Sequence, residues 1–415
     1  VDVRAGILVT GTEVLTGRVT DRNGPWLAER LRQLGVDVGR VVVVGDRPDD
    51  LRTALTQLDD LDLVVTSGGL GPTADDLTLE IVAAHRGRAL HHDAELEERI
   101  AERVEAMRRR RGWAVDADAL RAANRKQALV PEGAHLLEPV GTAPGVVVPG
   151  PPPVVVLPGP PSELQQMWAA AEASPPVQEV LARAGTLEQR TLRLWGPPEA
   201  ALADALRRAG DLSAVELTTC VRTGELEVVG RFAPAAVDVW DGLGAHLQEE
   251  FGPALFSPDG RTVDEVVADL AVGSGATVAT AESCTGGLLG ARLTEQPGSS
   301  AWVVGGVVAY ADRVKVEQLD VPPGLLGRHG AVSEPVARAM AEGVRDRLRS
   351  TVGVGITGVA GPGGGTETKP VGLVHLAVAG PGTTLHRELR AGGARADIRT
   401  YAVQHALHLL REVLG

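Results

Sequence analysis

A serine, a cysteine and a threonine stand side by side in the stretch ATAESCTGG, as Ser283, Cys284 and Thr285. An apolar run ending near Glu282 precedes them, and Gly286 and Gly287 follow. This layout reads as a strand entering a helix near Gly286. At a helix N-terminus, free N–H groups and the positive end of the dipole suit an oxyanion or a phosphate. A serine in such a turn resembles a nucleophile elbow. Ser and Thr also occupy N-caps for capping alone, and read by itself the stretch is a cap.

A serine nucleophile needs a base. No histidine lies close in sequence, and none of the ten sits in a triad motif. The segment VVAYADRVK offers another pair: Tyr310 lies 27 residues after Ser283, at the end of the next strand, and Lys315 five further on. Strand ends of one parallel sheet converge on one edge, so Ser283, Tyr310 and Lys315 could meet there. Only three of the 41 basic residues are lysine (Lys126, Lys315, Lys369), and Tyr310 and Tyr401 are the two tyrosines. Unlike a guanidinium, a desolvated ammonium can lose its proton. A lysine with a tyrosine relay can then accept a serine proton. The plainer alternative is a Tyr310 that caps the core and a Lys315 that is a solvated helix residue. Cys284 is the stronger intrinsic nucleophile but has no ion-pair partner in view. It reads as a small buried residue, with Ser283 or Thr285 facing the ligand.

Two further stretches point to a phosphate. The loop GITGVAGPGGGTETKPVG (355–372) offers the Thr357 hydroxyl, while Gly358 and Gly363 allow close backbone approach; successive N–H groups there can form an anion nest. In GGARADIR, Arg395 and Arg399 stand i and i+4 on a helix start, where they could clamp a phosphate or serve as surface charge. In the first third of the chain, the strand-end loops Thr10–Glu13 and SGGLGPTADD fall at one sheet edge. They carry Thr10, Gly11 and Glu13, then Ser67, Gly68, Gly69 and Gly71, with Asp46 at a neighbouring strand end. Asp75 and Asp76 can hold a divalent cation against a polyphosphate, or stand as helix N-terminal acids. No P-loop and no dinucleotide fingerprint is present.

The elements that must position these residues alternate strand and helix, which predicts parallel α/β sheets. The first such pattern runs from VRAGILVT to the helix PSELQQMW. From about 175 to 252 the pattern changes to a small α+β module, whose Pro-rich entry (ASPPVQ) and exit (FGPALFSPDG) read as linkers. A second α/β pattern starts near Thr262, with a helix capped by Ser333 and a terminal helix. The expected fold is two three-layer α/β domains, 1–172 and 258–415, joined by the α+β module at 173–257. A net charge of −13 argues against a nucleic-acid or anionic-membrane partner. No apolar run reaches membrane length, the start lacks a signal-peptide pattern, and two cysteines make no disulfide framework. A soluble cytoplasmic protein is expected.

Several segments in order give the chain a resemblance to the competence/damage-inducible CinA family. The first half resembles a molybdopterin-binding, MoaB/MogA-like domain through GTEVLTGRVTDRN, SGGLGPTADDLT, NRKQALVPEGAHLLEPVGTAPG and LPGPPSEL. The last part resembles a nicotinamide mononucleotide amidase domain through TAESCTGG, GSSAWVVGGVVAY, GAVSEPVA, GITGVAGPGGG and KPVG. The resemblance implies hydrolysis of the carboxamide of nicotinamide mononucleotide to nicotinate mononucleotide and ammonia. By motif it makes Ser283 the nucleophile and Tyr310 and Lys315 the activating pair. Thr285, Gly286, Thr357, Gly358, Gly363, Arg395 and Arg399 would then bind substrate, with no cofactor. For the N-terminal domain it implies an ADP-ribose pyrophosphatase activity with a divalent metal, Mg or Co, at Asp75 and Asp76. It also implies a KH-like middle module and a homodimer. Where the family usually reads Tyr-Ser-Asn, this chain has Tyr310, Ala311 and Asp312, and Ala394 replaces an acid before Arg395. The rival reading is a non-enzymatic nucleotide- or molybdopterin-binding protein that acts through dimerisation.

Overall fold

The structure is a computed structural model and describes residues 3–112 and 116–415. Its contacts fall into two compact units, 1–188 and 189–415.

The first unit contains β1 (Arg4–Thr10), β2 (Asp37–Val44), β3 (Leu63–Ser67), β4 (Leu90–His92), β5 (Leu129–Pro131), β6 (His135–Leu137), β7 (Gly145–Val148) and β8 (Val154–Leu157). Six of them form a sheet in the order β2-β1-β3-β8-β7-β6, and β4 pairs with β5. β2, β1, β3 and β8 are parallel, and β7 and β6 run antiparallel. The apolar runs of β1 and β3 are buried nearly throughout, as a parallel sheet covered on both faces requires. Leu27, Leu31 and Trp168 pack in one core and Leu51, Leu55 and Ile81 in another, so the architecture has three layers. The Pro-rich entry expected to be a linker is instead the helix Pro175–Leu181, whose Val177 and Val180 join the core around Trp168. Its prolines occupy first-turn positions, where the missing N–H costs nothing.

The second unit opens with a four-stranded sheet of β9 (Glu188–Trp195), β10 (Val215–Arg222), β11 (Glu225–Phe232) and β12 (Leu255–Ser257), in the order β10-β11-β9-β12. The helices Glu199–Arg208 and Val237–Phe251 pack on it around Leu202, Phe232 and Trp240. The expected exit linker holds β12, because Leu255 and Phe256 are apolar enough to be buried.

The rest of this unit is built on β13 (Val278–Glu282), β14 (Val303–Val308), β15 (Val352–Gly358), β16 (Leu373–Gly380) and β17 (Thr383–Arg390), in the order β14-β13-β15-β16-β17. Only the first three in that order are parallel; β16 and β17 are antiparallel, so the sheet expected to be parallel is mixed. The helices Val263–Ser274 and Arg395–Leu414 join one core cluster and Glu334–Leu348 joins another. Gly353 and Gly355 let Glu334–Leu348 lie against β15: a Cβ at either would stand 2.1 or 2.3 Å from a helix carbonyl oxygen. Ser333 occupies the N-cap position of that helix, but its hydroxyl donates to the Gly330 carbonyl and does not cap. Among the described residues no helix is long and apolar enough to cross a membrane.

Candidate functional site

The register of the parallel strands sets one edge of the C-terminal sheet. Glu282 lies opposite Val308 on β14 and Ile356 on β15. The chain therefore leaves β13 at Ser283, β14 just before Tyr310 and β15 beside Thr357 at the same level. Ser283 N donates to Ile356 O at 2.9 Å, and Ala309 N donates to Glu282 O at 2.8 Å.

Ser283 is 8% exposed, and no side chain among the described residues hydrogen-bonds its hydroxyl. Tyr310 is 63% exposed, so it does not cap the core. Its Oη accepts from Arg395 Nη2 at 3.3 Å. Lys315 lies on the helix Asp312–Leu319 and is 1% exposed, not solvated. Its ammonium donates to the Tyr310 carbonyl at 3.2 Å and to Asp312 Oδ1 at 3.3 Å. The lysine thus meets the tyrosine at its backbone, and the tyrosine hydroxyl meets an arginine.

The turn after Ser283 differs from the expected helix N-terminus. The helix begins at Leu288 and has seven residues, while Gly286 and Gly287 take φ values of 61° and 94° that favour glycine. The buried Glu282 carboxylate accepts from the N–H groups of Gly287, Leu289 and Gly290 at 3.1, 3.0 and 2.8 Å. The donors expected to meet an oxyanion are therefore occupied by the protein's own acid. Sequence reasoning missed Glu282; the signal was a carboxylate closing an otherwise apolar strand.

Thr285 is fully enclosed, and its hydroxyl has no partner among the described residues. Its carbonyl accepts from Arg399 Nη2 at 2.7 Å. Thr357 is buried and turns its hydroxyl to the Ala331 carbonyl at 2.9 Å. Gly358 packs against β16, whereas Gly363 stands in open space. Arg395 also donates to the Gly361 carbonyl at 2.7 Å, which ties the glycine loop to the start of the C-terminal helix. Cys284 sits in the core, and burial pushes its thiol up to about 11.

In the first unit, every expected residue except Ser67 lines one cavity of about 310 Å³: Thr10, Gly11, Glu13, Asp46, Gly68, Gly69, Gly71, Asp75 and Asp76. Ser67 lines an adjoining cavity of about 480 Å³ and accepts from Asn23 Nδ2 at 2.7 Å. Gly68 and Gly69 have positive φ, and a Cβ at either would press on Thr10 or Thr78. Asp46 accepts from Thr12 N at 2.9 Å and Thr12 Oγ1 at 2.8 Å. Asp75 and Asp76 both accept from the Thr73 hydroxyl, which holds the Asp75 carboxyl below its usual range. Sequence reasoning missed Gln127 and Glu163, which also line the cavity. Gln127 donates to the Leu70 carbonyl at 3.0 Å, and burial pushes the Glu163 carboxyl up.

The acids of this cavity offer oxygen donors, which suit a hard cation such as Mg²⁺ held by one or two carboxylates and completed by substrate phosphates. Among the described residues no three His, Cys, Asp or Glu side chains cluster as ligands. Asp75 and Asp76 fit such a partial shell.

A family model described as "CinA C-terminal domain" matches residues 260–414, and one described as "Probable molybdopterin binding domain" matches residues 6–175. A "CinA-like protein" of Mycolicibacterium vanbaalenii is 54% identical over 418 residues, which cover 99% of this chain and 98% of that protein. A "CinA-like protein" of Mycobacterium tuberculosis is 51% identical over 424 residues, covering 100% and 98%. Among solved structures, the competence/damage inducible protein CihA of Agrobacterium tumefaciens is 43% identical over 37% of this chain and 96% of its own, with a TM-score of 0.36.

Proposed function

The chain belongs to the CinA family, with a MoaB/MogA-like domain and a CinA C-terminal domain, and we propose that the C-terminal domain hydrolyses the carboxamide of nicotinamide mononucleotide. The observation that carries this reading is the arginine pair at the sheet edge. Arg395 on Tyr310 and Arg399 on the Thr285 carbonyl bring two guanidinium groups to the turn that bears Ser283. Guanidinium forks match phosphate geometry, so a mononucleotide phosphate held there could present its pyridine carboxamide to the serine.

Ser283 Oγ attacks the carboxamide carbon, and its proton is carried to the amide nitrogen by the Tyr310 hydroxyl, with Lys315 holding Tyr310 in place through its carbonyl. The C–N bond breaks, ammonia leaves, and nicotinate mononucleotide remains as an ester on Ser283. Water then adds to the ester, its proton returns to Ser283 as the C–Oγ bond breaks, and the acid is released. Positioned acid–base groups of this kind contribute about 10²- to 10⁴-fold. Gly363 and the adjoining loop would give the phosphate close backbone approach.

For the N-terminal domain we propose hydrolysis of ADP-ribose at the 310 Å³ cavity. A divalent cation, Mg or Co, on Asp75 and Asp76 would supply charge neutralisation of the pyrophosphate. Thr10, Gly11, Gly68, Gly69 and Gly71 would line its path, with Glu13 and Asp46 beside it. The protein would act as a cytoplasmic homodimer with no nucleic-acid partner. The non-enzymatic alternative keeps the cavity as a nucleotide or molybdopterin site without turnover. Ammonia release from nicotinamide mononucleotide, measured on the full chain, decides between them: loss in Ser283→Ala with retention in Cys284→Ala is expected, and the reverse pattern overturns the assignment.

A further inference from the structure

Away from the candidate site, the second unit buries a polar seam between its four-stranded sheet and the helix Arg395–Leu414. Glu225, the first residue of β11, is 5% exposed. Its Oε1 accepts from Gln404 Nε2 and lies 2.8 Å from His408 Nε2. His408 is fully buried, lies flat against Trp195 of β9 at 3.9 Å, and is kept neutral by burial. Its Nδ1 has no partner among the described residues, which fits a proton on Nε2 donated to Glu225.

The other groups around Glu225 come from five elements. Gln404 Oε1 accepts from Arg292 Nη1 at 2.7 Å, and Arg292 is bidentate to Asp264. Arg193 of β9 stands 3.7 Å from Glu225 Oε2, with Glu227 of β11 as its closer partner. Arg411 of the C-terminal helix feels the Glu225 charge as well. Burial, opposed by Arg193 and Arg292, pushes the Glu225 carboxyl up to about 7.

The helix held by this seam is the one whose first turns carry Arg395 and Arg399. Arg399 and Gln404 are separated by about 7.5 Å of helix rise, a distance over which a helix moves as a rigid rod. We propose that Glu225 is a positioning residue for the candidate active site: by holding Gln404 and His408 it fixes the rotation and height of the C-terminal helix, and so sets Arg395 and Arg399 against Tyr310 and the Thr285 carbonyl. This inference rests on the amidase reading for its kinetic consequence and on geometry alone for its mechanical one.

The test uses the full chain, nicotinamide mononucleotide and hydrogen exchange. Glu225→Ala should raise KM about tenfold with kcat within about twofold, the pattern of lost substrate binding, and should speed amide exchange across 395–403. In the wild type, KM should rise as pH falls from about 8 to about 6, because protonation removes one of the acceptor roles of Glu225. Glu225→Gln, the neutral counterpart of the protonated acid, should hold KM near the wild type's low-pH value at every pH, flattening that dependence. Unchanged KM and unchanged exchange in Glu225→Ala overturn the proposal, as does loss of kcat without any change in KM. If the wild type releases no ammonia, the amidase reading fails by itself; exchange then decides, with faster exchange at 395–403 supporting the link and unchanged exchange overturning it. If Glu225→Ala does not fold, Gln404→Ala carries both arms with the same expectations.

Discussion

The two candidate sites are assembled in opposite ways. In the first unit, most of the expected cavity residues lie at the ends of β1, β2 and β3 or in the loops after them, and three of the acids are held by nearby hydroxyls: Asp46 by Thr12, Asp75 and Asp76 by Thr73. Asp75 is exposed, and Asp46 and Asp76 are half-buried. In the second unit the ties span 85 residues from Tyr310 to Arg395 and 114 from Thr285 to Arg399, and Ser283 and Lys315 are buried. Solvent-reachable, locally braced acids suit a hydrated cation and a polyphosphate that bring their own order. A buried serine and lysine suit a reaction in which the protein must supply the order, because charge interactions strengthen where water is excluded. The first site should therefore tolerate change elsewhere in the fold, and the second should not.

The largest expected effect is at Ser283. Ser283→Ala should cut ammonia release by at least about a thousandfold and leave ADP-ribose hydrolysis untouched; equal loss of both activities would break the contrast between the sites. Lys315→Met, similar in length but without the ammonium, should lower kcat by about a hundredfold or more, read with a thermal melt to separate chemistry from folding. Arg395→Ala removes a bond to Tyr310 and one to Gly361, and should raise KM for nicotinamide mononucleotide by about tenfold or more. Asp76→Asn should weaken metal-dependent ADP-ribose hydrolysis about tenfold with no change in ammonia release, which would sharpen the separation.

The smallest expected effect is on stability against pH. The Glu225 carboxyl titrates near 7 in the folded chain because of burial, and near 4.3 in an unfolded one. Between those values the folded state keeps a proton that the unfolded state has lost, so stability falls as pH rises through the window. Thermal melts of the wild type and Glu225→Gln should differ more in favour of the wild type at about pH 5 than at about pH 8. His408, held neutral by burial, acts in the opposite sense and loses stability as pH falls below about 6.5.

The buried strands β1, β3, β13 and β15 were legible because an apolar run between turn residues has few other uses, and the glycine loops were legible because they follow those runs. β10 and β17 were not: both are sheet-edge strands with mostly polar, solvent-facing residues, and their patterns resemble loops. The helix Asp312–Leu319 was read only as the place of a solvated Lys315, because its short, polar sequence hides that the lysine is buried. The scarcity of lysine and tyrosine drew attention to Lys315 and Tyr310. Their actual contact, ammonium to backbone carbonyl, leaves no trace in residue types. The prolines of 175–176 misled because proline serves equally as a linker residue and as a helix start.

The buried thiol beside the nucleophile carries one more consequence. With Cys284 pushed up to about 11, roughly one molecule in ten thousand would hold the thiolate at neutral pH. Peroxides and alkylating reagents attack that form, so the loop around Ser283 should endure oxidising conditions that would disable a cysteine enzyme built on the same turn.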